Sequence, residues 1–282
     1  MKLKVYVDGP AFVDGSDLDS FLDILTNYKL AFGNCLQQSA KASDVPKPLQ
    51  PTLRISTVSK GSLNIDLVTQ ATAAIAPLAP QIFGHAWQLY KAAYDLIGIV
   101  SGYFKRTGNQ MTITINNSPG AVVNVVTGNQ VSTTQQVLDA ACSVFPYFEK
   151  LCDLIGRRKA NKIIMQTEED DAPEILFDEQ NAGLYKLPAT DATDSEPVEF
   201  ECNIYRFNVR TLNGNMECFD GDVSTNRPFI AKDNLIDACI DALKSETVNV
   251  KAIRDMEVNA LGETKIIRFR LLDVIQDADY YK

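Results

Sequence analysis

The sequence predicts an α+β protein of at least two domains. Three observations carry this: alternating, strand-like runs at both ends of the chain, a long and almost wholly apolar helical run in the middle, and an acidic stretch between them and the C-terminal part. Residues 1–165 read as an α/β domain, a β-α-β-β unit extended by a long apolar helix over 80–105 and a second hairpin. Residues 166–197 read as an acidic linker, and 198–282 as a small β-barrel module. With 282 residues and 45% hydrophobic content the chain can bury a sizeable core, and its length favours two domains over one.

Leu3, Val5 and Val7 alternate and predict a first strand. Ser16 precedes Asp17 and Asp19 as a helix N-cap and acidic first turn, and Leu18, Phe21, Leu22, Leu25, Tyr28, Phe32, Cys35 and Leu36 recur at helical spacing. Runs 53–58 and 63–67 flank Ser59-Lys60-Gly61-Ser62, a hairpin signature. Between Leu67 and Tyr90 there is no Asp, Glu, Lys or Arg. Pro77 and Pro80 interrupt that stretch and Lys91 and Asp95 continue its helix, so a membrane span is not expected.

From Pro80 two apolar seams run side by side. One is Ile82, Ala86, Leu89, Ala93, Leu96, Val100 and Tyr103, spaced four then three; its neighbour includes Phe83, Trp87, Tyr90, Tyr94, Ile97 and Phe104. Only a narrow polar stripe is left, so the helix needs partners around most of its circumference. Its own domain could supply them; so could a second copy of the chain meeting it through the heptad seam. The second reading makes Ile82, Ala86, Leu89, Ala93, Leu96, Val100, Tyr103, Trp87 and Tyr90 the expected homo-oligomer interface.

Runs 111–116 and 121–126 around Asn117-Ser118-Pro119-Gly120 predict a second hairpin. Ser132 with Gln135 predicts a capping box for a helix that contains Pro146 and ends at Gly156. A short strand at 163–165 follows.

Charge is uneven. Residues 1–165 hold 15 basic against 11 acidic side chains, 166–201 hold one against 12, and 202–282 hold 11 against 13. The net charge of −9 disfavours a general nucleic-acid binder. Six cysteines without a C-x-x-C pair read as small core residues in a reducing, cytoplasmic setting.

The search for chemistry excludes much. His85 is the only histidine, so a two-histidine zinc site is impossible; on the polar stripe of the central helix it reads as a hydrogen-bonded interface residue. There is no phosphate-loop, dinucleotide or nucleophile-elbow motif, and no cofactor or metal is expected. Glu168-Glu169-Asp170-Asp171 lacks the ligand spacing of a calcium loop and reads as solvated. Arg157, Arg158 and Lys159 could grip an anion, or could cap the end of the preceding helix.

In the C-terminal part Val198, Phe200, Cys202 and Ile204 alternate inward, and then the frame shifts so that Tyr205, Phe207 and Val209 take over, which predicts a bulge or sharp coil in one long strand. Asn213-Gly214-Asn215 reads as a turn, followed by short strands at 216–219 and 228–230, a helix through Leu235, Cys239 and Leu243, and two long strands, 248–258 and 265–275. This β-β-β-α-β-β order resembles the OB-fold, in architecture and over about these 80 residues only. The resemblance implies a binding module, for an oligonucleotide, an oligosaccharide or a protein. Arg206, Arg210, Arg254, Arg268 and Arg270 are its candidate anion or nucleic-acid contacts, with Tyr205, Phe207, Phe219 and Phe269 as aromatic candidates. Alternation turns Phe207 and Phe269 into the core, and the module's net negative charge leaves nucleic acid unsupported.

The expected function is therefore a non-catalytic interaction protein that associates with itself through the central helix and docks an unknown protein partner on its barrel. The alternative is a single-stranded nucleic-acid-handling protein with an acidic, self-masking segment.

Overall fold

A computed structural model describes residues 3–10, 18–43, 45, 51–59, 62–69, 78–116, 124–156, 159–167, 175–220 and 223–275. The chain divides into two compact units, Met1–Pro188 and Ala189–Lys282. Both helix and strand are abundant, and the molecule is α+β.

Unit one is built on a sheet of five antiparallel strands. These are β1 (Leu3–Asp8), β2 (Pro51–Ser59), β3 (Ser62–Thr69), β7 (Lys162–Thr167) and β8 (Ile175–Asp178), in the order β2-β3-β1-β7-β8. The register lines up Val5, Met165 and Ile175 in one row and Val7, Ile163 and Phe177 in the next, all buried. Three helices cover this face: α1 (Leu18–Ala42), α2 (Ala79–Thr107) and α3 (Gln135–Asp153). Ring contacts tie the layers: Tyr28 to Tyr90, Tyr90 to Phe148, and Phe148 to Phe177 at centroid separations of 6.3, 5.2 and 5.3 Å. The Tyr94 hydroxyl donates to the Leu176 carbonyl at 2.6 Å.

The central helix α2 has Pro80 in its first turn and ends at Gly108, whose φ of 71° makes the left-handed cap. Ile82, Ala86, Leu89, Ala93, Leu96, Val100, Trp87 and Tyr90 are all buried among α1, α3 and the sheet, and Tyr103 is half-buried. The seam expected to meet a second copy is thus already covered within its own unit. The physical reason is that two helices and a sheet face surround α2, which satisfies the same periodicity that a partner helix would.

A three-stranded sheet lies between α2 and α3 in sequence: β4 (Thr112–Ile115), β5 (Val125–Thr127) and β6 (Gln130–Thr133). The turn expected at 117–120 and residues 121–123 of the expected hairpin lie outside the described residues, and the described Val125–Thr127 pairs with β6 rather than with β4. β4 pairs in parallel with β6, and the hairpin is β5–β6, turned at Gly128 with a φ of 62°. The helix cap also differs: Thr134, not Ser132, accepts from the Val137 amide.

The expected linker is largely structured. Its apolar island, Ile175–Phe177, forms β8 at the sheet edge, and Ala182–Tyr185 makes a 3-10 turn whose Tyr185 stacks on Tyr94 at 4.6 Å. Residues 189–193 become β9 (Ala189–Thr193) of unit two. Composition marked a polar segment; three apolar side chains and a row of backbone pairs were enough to order much of it. Glu168-Glu169-Asp170-Asp171 lies outside the described residues.

Unit two is the OB-like barrel. Its strands are β10 (Val198–Asn208), β11 (Asn213–Asp220), β12 (Val223–Ile230), β13 (Val248–Asn259) and β14 (Thr264–Ile275), with α4 (Ile236–Ala242) between β12 and β13. β12 pairs in parallel with β14 and β10 pairs antiparallel with β13, so the ring β10-β11-β12-β14-β13 closes on itself. β9 adds to the outer half of β13. The core holds Cys202, Ile204, Met216, Phe229, Cys239, Val250, Phe269 and Leu271. No helix among the described residues is long and apolar enough to cross a membrane.

Candidate functional site

The register of β10 with β11 slips between Ile204 and Arg206, as the expected bulge requires, but of the three residues expected to turn inward after it only Phe207 does, Tyr205 and Val209 being exposed. A bulge gives two residues to one on the partner strand. Tyr205 and Arg206 therefore both reach the surface, Tyr205 being half exposed, while Phe207 returns inward to stack on Phe229 at 6.0 Å. The turn into β11 comes earlier than Asn213-Gly214-Asn215. It spans 209–212, with Asn208 accepting from the Arg210 and Thr211 amides and Leu212 at a φ of 57°. Gly214 serves a different need: a β-carbon there would lie 2.2 Å from a Phe229 ring atom and 2.5 Å from the Arg206 carbonyl oxygen.

Cross-strand register assembles one outer face from β10, β11 and β12. Asn203 lies opposite Glu217, which lies opposite Asn226; Arg206 lies opposite Asn215, which lies opposite Pro228. Phe219 is opposite Ser224 and is exposed, and Tyr205 stands at the bulge. The face thus presents two aromatic rings, three amides, Arg206, Glu217 and, two residues before Asn203 on β10, the exposed Glu201. Such a surface can stack and exchange hydrogen bonds, and it carries no excess of positive charge.

The arginines of the barrel do not converge on this face as a basic groove. Arg254 forks onto Asp194, Nε to Oδ2 at 2.6 Å and a terminal nitrogen to Oδ1 at 3.3 Å. Arg268 and Arg270 both bind Asp255, each at 2.9 Å, and Thr193 donates to the same carboxylate at 3.1 Å. Burial alone would raise Asp255, but the hydrogen bonds from Arg268 and Thr193 and the two positive charges outweigh it and hold the carboxyl below its ordinary value. The hydrogen bond from Arg254 holds Asp194 below its ordinary value too. Of the five arginines singled out in the module, Arg254, Arg268 and Arg270 are engaged by carboxylates, Arg206 borders the face, and Arg210 sits exposed in the turn.

In unit one, Lys159 donates to the Asp153 carbonyl at 2.7 Å, so it caps the end of α3; Arg157 and Arg158 lie outside the described residues. His85 is half-buried, its Nδ1 3.1 Å from the hydroxyl of Ser39 on α1, and burial lowers its pKa. Ser39 itself is fully buried, so the pair joins two helices and presents no nucleophile to a ligand. All six cysteines are free thiols; burial pushes Cys202 up to about 12, and Cys218 and Cys239 up to about 11. Such thiols are poor nucleophiles. Among the described residues no group of three or more His, Cys, Asp or Glu side chains could hold a metal ion.

Sequence reasoning found Tyr205, Phe219 and the bulge. It missed the amides Asn203, Asn215 and Asn226, which the strand register brings onto one face in two adjacent rows. Compared with protein-family models, with curated proteins and with solved structures, the chain finds no match.

Proposed function

We propose that the protein is a non-catalytic binding protein whose barrel docks a protein partner on the β10–β11–β12 face. The observation that carries this reading is the bulge at Tyr205, which sets an exposed tyrosine beside Arg206 on the same surface as Phe219 and the amides of Asn203, Asn215 and Asn226. Tyrosine and arginine are enriched where proteins meet, and amides adapt their hydrogen bonds to a partner's backbone. Single-stranded nucleic acid is less well served, because Arg254, Arg268 and Arg270 already face carboxylates.

A photo-crosslinking residue placed at position 205 or 219, and at the exposed Asp241 of α4 as control, tests the reading in source cells. A discrete protein adduct is expected at the first two positions and not at the third. Equal labelling at all three would remove the reading. A salt-sensitive, saturable complex with an oligothymidine would favour nucleic acid instead.

A further inference from the structure

Unit one contains a groove that the barrel reading does not use. It measures about 500 Å³ and lies between the C-terminal half of α2, the β5–β6 hairpin and the 182–185 turn. Gly98 and Gly102 open one wall, Ile99 and Tyr103 line it, Val126 forms the opposite wall and Leu184 closes one side. The charged residues that line it are Lys105 and Arg106; no acidic side chain does so among the described residues. Lys105 donates to the Gly183 carbonyl and so fixes the turn, whereas among the described residues Arg106 bonds only through its Nε, on the Gly102 carbonyl at 3.2 Å. Its two terminal nitrogens remain for an outside acceptor.

The wall opposite α2 is an unusual strand. β5 pairs with β6 and with no other described strand, and all three of its residues are exposed, Val125 by 56% and Val126 by 49%. An apolar strand whose outer margin pairs with no described strand is a template for another extended chain.

We propose that this groove is a second docking site, which takes an extended acidic peptide segment of a partner. The peptide adds a strand to β5, lays an apolar side chain against Ile99, Tyr103 and Val126, and places a carboxylate on Arg106. Charge complementarity selects the acidic partner, and the open strand margin selects a peptide over a lipid anion.

The test uses the full chain and a fluorescein-labelled heptapeptide alternating Glu and Val, with a Lys-for-Glu counterpart. Saturable anisotropy is expected for the Glu peptide, weakened about tenfold by Arg106→Glu and weakened also by Val126→Asp. The Lys peptide should not bind the parent chain and should gain binding to the Arg106→Glu variant, a gain that misfolding could not produce. Failure of the Glu peptide to saturate, equal binding of both peptides, or indifference to Arg106→Glu overturns the proposal. So does binding of oleate in the groove when the Glu peptide is inert. The site lies in the other unit from the barrel face, so the two readings fail separately.

Discussion

Leu212 and Gly214 show how single residues hold the barrel's presenting face in place. Leu212 sits at a φ of 57°, a conformation that L-residues other than Asn and Asp enter at a penalty. Leu212 is also half-buried, so removing its side chain has its own penalty. Leu212→Asn keeps some bulk and suits the backbone, and is expected to raise the thermal midpoint of the barrel slightly, by an amount equivalent to a few tenths up to about 1 kcal/mol. Gly214→Ala should do the reverse. Its new methyl would fall within 2.2 Å of Phe229, a ring in the centre of the core. A loss on the order of 2–3 kcal/mol is expected, read by chemical denaturation. A variant as stable as the parent would show that Phe229 can swing away, and the stacking of Phe207 on it would need revision.

At the level of elements, α2 organises unit one. Trp87, the only tryptophan, is 2% exposed and lies between Phe32 and Tyr90, so it reports on the packing of the whole helix. Its emission should be blue-shifted, poorly quenched by iodide, and unchanged by dilution. Trp87→Ala should destabilise the unit by about 3–5 kcal/mol. Emission that reddens on dilution would return the helix to a role between copies. The extent of α2 was legible in the sequence, since periodicity needs only local residues. What covers it was not: a seam of apolar side chains looks the same whether α1 and α3 of the same chain or a second chain supplies the cover. The β4–β6 pairing escaped for a related reason. Parallel pairing leaves no local signature in the sequence. In the barrel, strand order and helix position were legible because alternation and turn residues recur along it. The amide face was not, because it depends on register across three strands.

At the scale of the whole molecule, the two units should answer acid separately. Burial holds His85 below its ordinary pKa of 6.5. Between the folded value and 6.5 the unfolded chain binds more protons, so unit one loses stability as pH falls through that window. The depressed carboxyls of Asp194 and Asp255 act at lower pH. Their contribution is complete above the ordinary value of 3.8 and is lost as pH falls below it towards their folded values. Thermal melts followed from pH 7.5 to 3 should show Trp87 fluorescence weakening first and the barrel later. His85→Gln should flatten the first response and Asp255→Asn the second. Coincident responses in both variants would contradict the assignment.

The added strand β9 has a practical meaning for anyone isolating the barrel. The five-strand ring leaves its members paired, yet β13 runs on beyond it, and residues 255–259 find their neighbours in 189–193. A fragment begun at Val198, where composition alone places the start, would carry a naked backbone margin and gather into clumps by borrowing strands from its fellows. One begun at Ala189 would bring its own cover and stay dispersed, a contrast that light scattering of the two fragments would read directly.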